Sequence, residues 1–454
     1  MRTRLFLLFA SVLVGCGGAT NDETTALTPP VDPPLVFAAR DPSADTLVMA
    51  EIDPASAKVT PLGTLPGVRA TTHTIEDFTA SRDGKRVGVT ARPLDPKGTW
   101  VTFVSEGATF REIARGTGDV NVVFNRDLSL SWRQPACDGG IDASRRAQLV
   151  DIQGKVVFDS PGCPGYGAGE SAGFFGFVGD GRSALFVEHQ TDLVLRSADG
   201  TSRVLKKYPA SSTTPNLGVR RLFATSVIVV HEGKLDWLDL EGKSLDVPGF
   251  SRDASTVSLG DFVVAETQLS KLGDRTIVPL QRVPAGTRAY DVEDVAVGRF
   301  AVLVNDGKLA TVAPTGVVRG SYEVPLGHHA RIVGAFGSLT SATPWLVVSF
   351  SQEGETQGDY TPSYGHGEIL VRFDGEGNVK ETSTLRQIED AKVSGTGGAR
   401  VYRGSKSGDS LVIADNVFHV VTTASGEERV LETPLRPVVP GGNVTLTWTP
   451  GNAD

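Results

Sequence analysis

The chain has 454 residues, with 53 acidic against 44 basic side chains and a net charge of −9. An acidic balance of this kind excludes nucleic acid as an expected partner, because such binding calls for a basic patch, and it disfavours adsorption on anionic lipid heads. The length is ample for a large apolar core.

The first element is short. Arg2 and Arg4 precede an apolar run from Leu5 to Val14, which is the layout of a secretory signal. About 20 apolar residues are needed to span a bilayer, so the run is too short for a transmembrane helix. It ends in Leu13-Val14-Gly15-Cys16, which resembles the lipobox of bacterial lipoproteins. The resemblance implies a signal peptide over 1–15, cleavage before Cys16, a diacylglyceryl group on the Cys16 thiol and acylation of the new amino terminus. Each buried methylene is worth about 0.8 kcal/mol, so two or three chains anchor stably where one does not. An ordinary signal with an incidental cysteine is the alternative. In proteobacterial lipoproteins an Asp after the cysteine tends to retain the protein at the inner membrane. Gly17 stands there instead, so the expected address is the outer membrane. Loss of the signal leaves 42 basic against 53 acidic residues.

Residues 16–34 follow the cut as a tether, Cys16 and then GGATNDETTALTPPVDPP. The segment is nearly devoid of large apolar side chains and cannot offset its own ordering entropy. A flexible chain of this length spans on the order of 25 Å.

Over residues 35–450 helical periodicity is almost absent. Short runs rich in Val, Leu, Phe and Thr recur instead, as in RVGVTAR (86–92), TWVTFVS (99–105), SALFVEH (183–189), SVIVVHE (226–232), WLVVSFS (345–351) and SLVIADN (410–416). Several are apolar throughout, as expected of strands covered on both faces. Tight hairpins are marked by an acidic or small residue before a glycine. They occur at IDPASAK (52–58), VSEGATF (104–110), DIQGKVV (151–157), SADGTSR (197–203), DLEGKSL (239–245), APTGVVR (313–319), DGEGNVK (374–380) and TASGEER (423–429). The intervals from Gly107 through Gly154 and Gly200 to Gly242 are 47, 46 and 42 residues, while Gly242 to Gly316 spans 74 and leaves room for a degenerate unit turning near Gly273. A period of about 40 to 50 residues with roughly four short strands each is the signature of a propeller blade.

A second marker precedes the second strand of several units: SRDGKRVGV (81–89), FNRDLSLSW (124–132), FVGDGRSALFV (177–187) and, more faintly, FSRDASTVSL (250–259). These segments resemble the TolB-like and WD40-like propeller repeats. The resemblance implies an all-β body, a single β-propeller closed by the C-terminal strand pairing with the first blade. LVFAAR (35–40) and TLVMAEI (46–52) begin one strand short, and NVTLTWT (443–449) is the extra strand that would complete them. Eight clear turns and one doubtful one give eight blades as the expectation, with seven or nine open. A pair of β-sandwiches or a β-helix are the alternatives.

Two insertions stand out. One comprises 133–148 and 160–176 and holds Cys137 and Cys163. In an oxidising compartment this pair reads first as a disulfide, closing a loop of about 26 residues worth roughly 3 kcal/mol; a metal pair or two free thiols are the alternatives. The other insertion, 351–368, offers Asp359, Tyr360, Tyr364, His366 and Glu368 as a candidate binding loop, since Tyr beside Gly and Ser composes adaptable recognition surfaces. An ordinary polar hairpin has the same composition.

Catalytic signatures are thin. His328 and His329 are neighbours, which on a strand face opposite ways; His189, His231 and His419 read as packed, hydrogen-bonded residues. Ser171 in GESAG imitates a nucleophile elbow but lacks the strand-to-helix setting. No catalytic residue, metal site or cofactor is assigned. The expected function is therefore a lipid-anchored, non-catalytic envelope propeller presenting loops to a protein or glycan. The alternative is a propeller enzyme (lactonase, lyase or quinone-dependent dehydrogenase) with a metal or cofactor in its central channel.

Overall fold

The computed structural model describes residues 35–439, apart from 82–84, 119, 126, 136–141, 164–172, 180, 211–216, 253–261, 288–298, 306, 324–329, 340, 354–362, 387–399 and 406. They belong to one compact unit, Asp32–Asp454. The described residues form strands and no helix, arranged in nine antiparallel sheets. In chain order sheets 1 to 9 occupy 35–69, 73–117, 120–163, 173–207, 218–239, 262–282, 301–323, 330–386 and 401–430.

Each four-stranded sheet is a meander. In sheet 2 the inner strand His73–Ala80 is followed by Val87–Pro93, Thr99–Glu106 and the outer strand Thr109–Thr117. Outer strands are the exposed ones; every residue of Glu427–Val430 in sheet 9 is exposed. Sheets 5, 6 and 7 show three strands each. In sheet 5 a bridge between Leu238 and Ser244 starts the fourth. Residues 253–261 and 288–298, which precede sheets 6 and 7 in the chain, are outside the described residues.

Sheet 1 takes its inner strand from the other end of the chain. Arg436 pairs with Arg40, Pro437 with Ala39, and the Val438 amide donates to the Ala38 carbonyl at 2.9 Å. The result is a single nine-bladed β-propeller closed by its C-terminal segment. The closing pairs lie at Arg436–Pro437, upstream of the expected 443–449, which is outside the described residues.

The blade number is nine, where the turn count favours eight. The degenerate unit is a real sheet, and its outer hairpin turns at Asp274–Arg275, directly after Gly273. The turn holds Arg275 at φ 59°, so the left-handed position is filled by a residue that gives no turn signal.

Elsewhere the turn chemistry is repetitive. The Asp151 side chain accepts from the Gln153 and Lys155 amides at 3.0 and 2.8 Å, and the Gly154 amide donates to the Asp151 carbonyl. Asp239 and Asp374 do the same for their own turns. Gly154, Gly242 and Gly377 follow at φ 85°, 85° and 96°, the left-handed position that these hairpins require. The turns between first and second strands share another device. The amides of Ser81, Asn125 and Ser405 donate to the carbonyls of Arg86, Leu130 and Ser410, and the Ser81, Asn125 and Ser405 side chains accept the amides returned. In the sequence marker the residue two before the Asp, Ser81 or Asn125, therefore closes the loop.

Strand faces explain the apolar runs. Val36 and Ala38 pack on Ile75, Phe78 and Val89 of sheet 2, whereas Phe37 and Ala39 pack on Val412 and Phe418 of sheet 9. Likewise Leu346 and Val348 meet Phe300 and Val302 of sheet 7, while Val347 and Leu370 meet Tyr402 and Leu411 of sheet 9. Tryptophans stitch the seams: Trp132 lies among Phe158, Phe174 and Phe186, and the Trp345 indole donates to the Gly408 carbonyl at 2.6 Å.

Two glycine substitutions separate backbone strain from packing. A Cβ on Gly200, at φ 89°, meets nothing within 4 Å, whereas one on Gly242 would lie 1.9 Å from the Leu205 carbonyl oxygen of the neighbouring sheet. Chemical denaturation should give a loss of about 1 kcal/mol for Gly200→Ala and about 3 kcal/mol or more for Gly242→Ala. Equal losses would show that the seam between sheets 4 and 5 is not packed as described.

Candidate functional site

Consecutive strands run in opposite directions, so one rim of the ring carries the turns within each sheet's first and last hairpins. These turns are short. The other rim carries the middle turns and the crossovers between sheets. The long insertions depart from this second rim: 136–141, 164–172, 354–362 and 387–399 all join strand ends there.

The sequence candidates distribute unevenly. Cys16, Cys137, Ser171, His328, His329, Asp359 and Tyr360 lie outside the described residues. Cys163 ends the strand Val156–Cys163, with its backbone opposite Asp142. Tyr364 and His366 stand on the strand Ser363–Phe373, opposite Gln352 and Ser351. Glu368, two residues further along, is 0% exposed. It is the buried root of the insertion and not part of its surface.

Glu368 anchors a polar network in the seam between sheets 8 and 9. Tyr402 donates its hydroxyl to Glu368 Oε2, and Arg400 Nη1 donates to the same oxygen at 3.1 Å and to the Leu385 carbonyl at 3.1 Å. Arg400 Nη2 reaches Asp415 Oδ2 at 3.0 Å. His419 Nε2 lies 3.1 Å from Asp415 Oδ1, and its Nδ1 lies 2.6 Å from Glu428 Oε1. The register explains the grouping: Tyr402 pairs with Ile413, Ile413 with His419 and His419 with Val430, so these side chains share the face toward sheet 8.

The charges are mutually neutralised. Burial pushes the Asp415 carboxyl up, but hydrogen bonds from His419 and the Val417 amide, with the His419 and Arg400 charges, hold it well below the usual range. The hydrogen bond to Asp415 raises His419, burial opposes this, and the charges of Asp415 and Glu428 add to the rise. A carboxylate oxygen thus lies near each ring nitrogen of His419 inside the fold. Only Glu368 of this network was a sequence candidate. Arg400, Tyr402, Asp415 and Glu428 carry no motif, and His419 is packed and hydrogen-bonded as its apolar flanks suggest.

The bore is the other place where polar residues gather. Several inner strands carry a one-residue bulge, centred on Glu76, Phe175, Arg220 and Val333. A bulge re-aims side chains relative to simple alternation. The described inner strands hold Arg220, Arg221, Arg331, Arg403 and Arg436 against Glu76 and Asp77, the reverse of the balance in the whole chain. Phe175 and Val123, on the inner strands of sheets 4 and 3, are 37% and 36% exposed.

The remaining described histidines are held by carbonyls or neighbours: His73 Nε2 is 3.0 Å from the Thr99 carbonyl oxygen, and His231 Nε2 is 3.1 Å from that of Pro209. Among the described residues no cluster of three or more His, Cys, Asp or Glu could hold a metal ion.

No family model matches the chain, and no curated protein matches it. Solved structures do. The chain is similar to the crystal structure of a eukaryotic initiation factor, with 11% identity and a TM-score of 0.50 over 88% of this chain and 96% of that one. It is also similar to the C-terminal WD40 domain of Sif2, with 11% identity, a TM-score of 0.38 and coverage of 86% and 92%. A putative 6-phosphogluconolactonase from Bacteroides fragilis has 11% identity, a TM-score of 0.34 and coverage of 90% and 96%. At such identities the likeness shows a WD40-like β-propeller fold and no activity.

The seam network sets a pH dependence. Because the fold raises His419 above its ordinary 6.5, its contribution is complete below that value and is lost as pH rises through the folded value. Asp415, held below 3.8, contributes above that value and is lost as pH falls. Urea midpoints of the full chain should therefore be highest between roughly pH 4 and 6.5 and decline toward pH 8. In His419→Gln the alkaline decline should flatten, with about 1 kcal/mol lost near pH 6. An unchanged pH profile would remove His419 from the account.

Proposed function

We propose that the chain is a non-catalytic binding propeller of the bacterial envelope, tethered through lipid on Cys16, whose insertion-bearing rim receives a protein or glycan partner. The observation that carries this reading is the asymmetry of the rims. One rim is closed by short, repeated, hydrogen-bonded turns, while the long insertions of sheets 3 and 8 depart from the other. Loops on a rigid ring are where such scaffolds place recognition. The Leu-Val-Gly-Cys ending of the apolar run and the large-apolar-poor tether support the anchor. A Cys137–Cys163 disulfide belongs to the same reading, since it would staple the sheet 3 insertion.

The rival reading, an enzyme with a metal or cofactor in the bore, predicts a stoichiometric divalent ion or a chromophore in protein purified natively. The binding reading predicts neither.

Two measurements test the proposal. In a bacterial host the wild-type chain should partition into detergent and take up labelled palmitate, and Cys16→Ser should do neither. Shortening 136–141 and 164–172 together, or 354–362, should weaken retention on envelope extract by about tenfold or more, equivalent to about 1.4 kcal/mol. Retention unaffected by either change would place the partner surface elsewhere.

A further inference from the structure

Arg403 lies on the inner strand Val401–Gly404 of sheet 9, yet it reaches beyond its own sheet. Its guanidinium sits 4.7 Å from the ring centre of Phe78 in sheet 2 and 5.6 Å from that of Phe37 in sheet 1. From sheet 9 it thus touches both sheet 1 and sheet 2. Nε is buried with no hydrogen-bond partner, while the side chain as a whole is only half-buried. Asp77, across on the inner strand of sheet 2, supplies charge but no ion-pair contact; its carboxylate accepts the Phe78 amide at 2.8 Å. Burial lowers the guanidinium to about 10 against the pull of Asp77. The Asp77 carboxyl is raised, mainly by burial, although the residue as a whole is exposed.

A buried donor left without a partner costs about 1–3 kcal/mol, and buried polar groups are normally satisfied. The aromatic rings hold the cation in place but leave its edge donors free. Those donors match a carboxylate, which takes two parallel N–H bonds. Asp77 already offsets much of the positive charge, so a second negative charge on the ligand would be repelled. Phe175 and Val123 give the inner wall an apolar sector.

We propose that the bore binds a small organic monocarboxylate, with its carboxylate on the Arg403 guanidinium between sheets 9 and 2 and its apolar body along the inner strands. The site is separate from the rim and does not depend on partner binding there.

Isothermal titration of the full chain with benzoate tests this, with benzamide as the neutral isostere and inorganic phosphate as the alternative anion. Benzoate should bind saturably, one per chain, with benzamide and phosphate weaker by about tenfold or more, equivalent to about 1.4 kcal/mol. Arg403→Gln should abolish the benzoate signal. If that variant fails to fold, Arg403→Lys, which keeps the charge and loses the two-pronged donor, should weaken benzoate several-fold. Asp77→Asn should tighten benzoate and bring phosphate closer to it. The proposal is overturned if benzoate gives no saturable heat, if benzamide binds as well, or if a folded Arg403 variant and Asp77→Asn both leave the titration unchanged.

Discussion

The fold depends on strands that are apolar on both faces. A strand such as Leu346-Val347-Val348 cannot face water on either side, so each sheet must be flanked by two others. A linear stack would leave two terminal faces uncovered, whereas a ring leaves none, and its exposed edges are confined to the short outer strands. Closure then falls on very little backbone. The pairing of Arg436 and Pro437 with Arg40 and Ala39 is only two residues long, and Val438 adds one more hydrogen bond. What holds the ring there is the side-chain seam between sheets 9 and 1, where Phe37, Ala39, Val48 and Ile52 meet Val412, Phe418 and Leu435. The backbone sets register and the seam supplies most of the adhesion, since apolar burial is worth about 25 cal/mol per Å² while one hydrogen bond nets about 1 kcal/mol.

Much of this was legible because turn chemistry is local. Asp151, Asp239 and Asp374 announce their hairpins with an Asp-x-x-Gly spacing that has one dominant geometry. The ninth sheet was harder to see because Arg275 takes the left-handed position itself, and an arginine advertises nothing there. The role of the C-terminal segment in closure was legible, whereas the pairs at Arg436–Pro437 were not anticipated. Arg436–Pro437 pairs a charge with a residue that lacks an amide hydrogen, which is a poor strand signal, whereas 443–449 alternates as a strand should. The inner-strand bulges were equally hidden, because register slips arise from packing around the axis and not from any residue type.

The polar clusters were the least legible part. Glu368 looked like a loop residue because it follows Gly365, His366 and Gly367, yet the strand Ser363–Phe373 carries it into the seam. Its partners come from positions 400 and 402, and Asp415 joins them through Arg400, brought together by pairing between strands and between sheets. No spacing rule along one chain can anticipate a network assembled across a seam. The alternation of Tyr402 and Arg403 shows how finely this is set: one residue faces sheet 8 and completes a closed network, and the next faces sheet 1 and completes none.

That contrast bears on how an acidic protein can carry a basic interior. Charges on the outer surface are screened over about 8 Å at physiological ionic strength, so the chain's net charge of −9 acts weakly on the axis. Inside the ring protein walls replace part of the water, and a few arginines on inner strands weigh more there than many carboxylates outside. In the seam between sheets 8 and 9 Arg400 is matched by Glu368 and Asp415. Arg403 keeps aromatic contacts and a distant carboxylate instead. Within one ring the Arg400 charge is thus met by two carboxylates, while Arg403 Nε is left buried without a partner among aromatic rings.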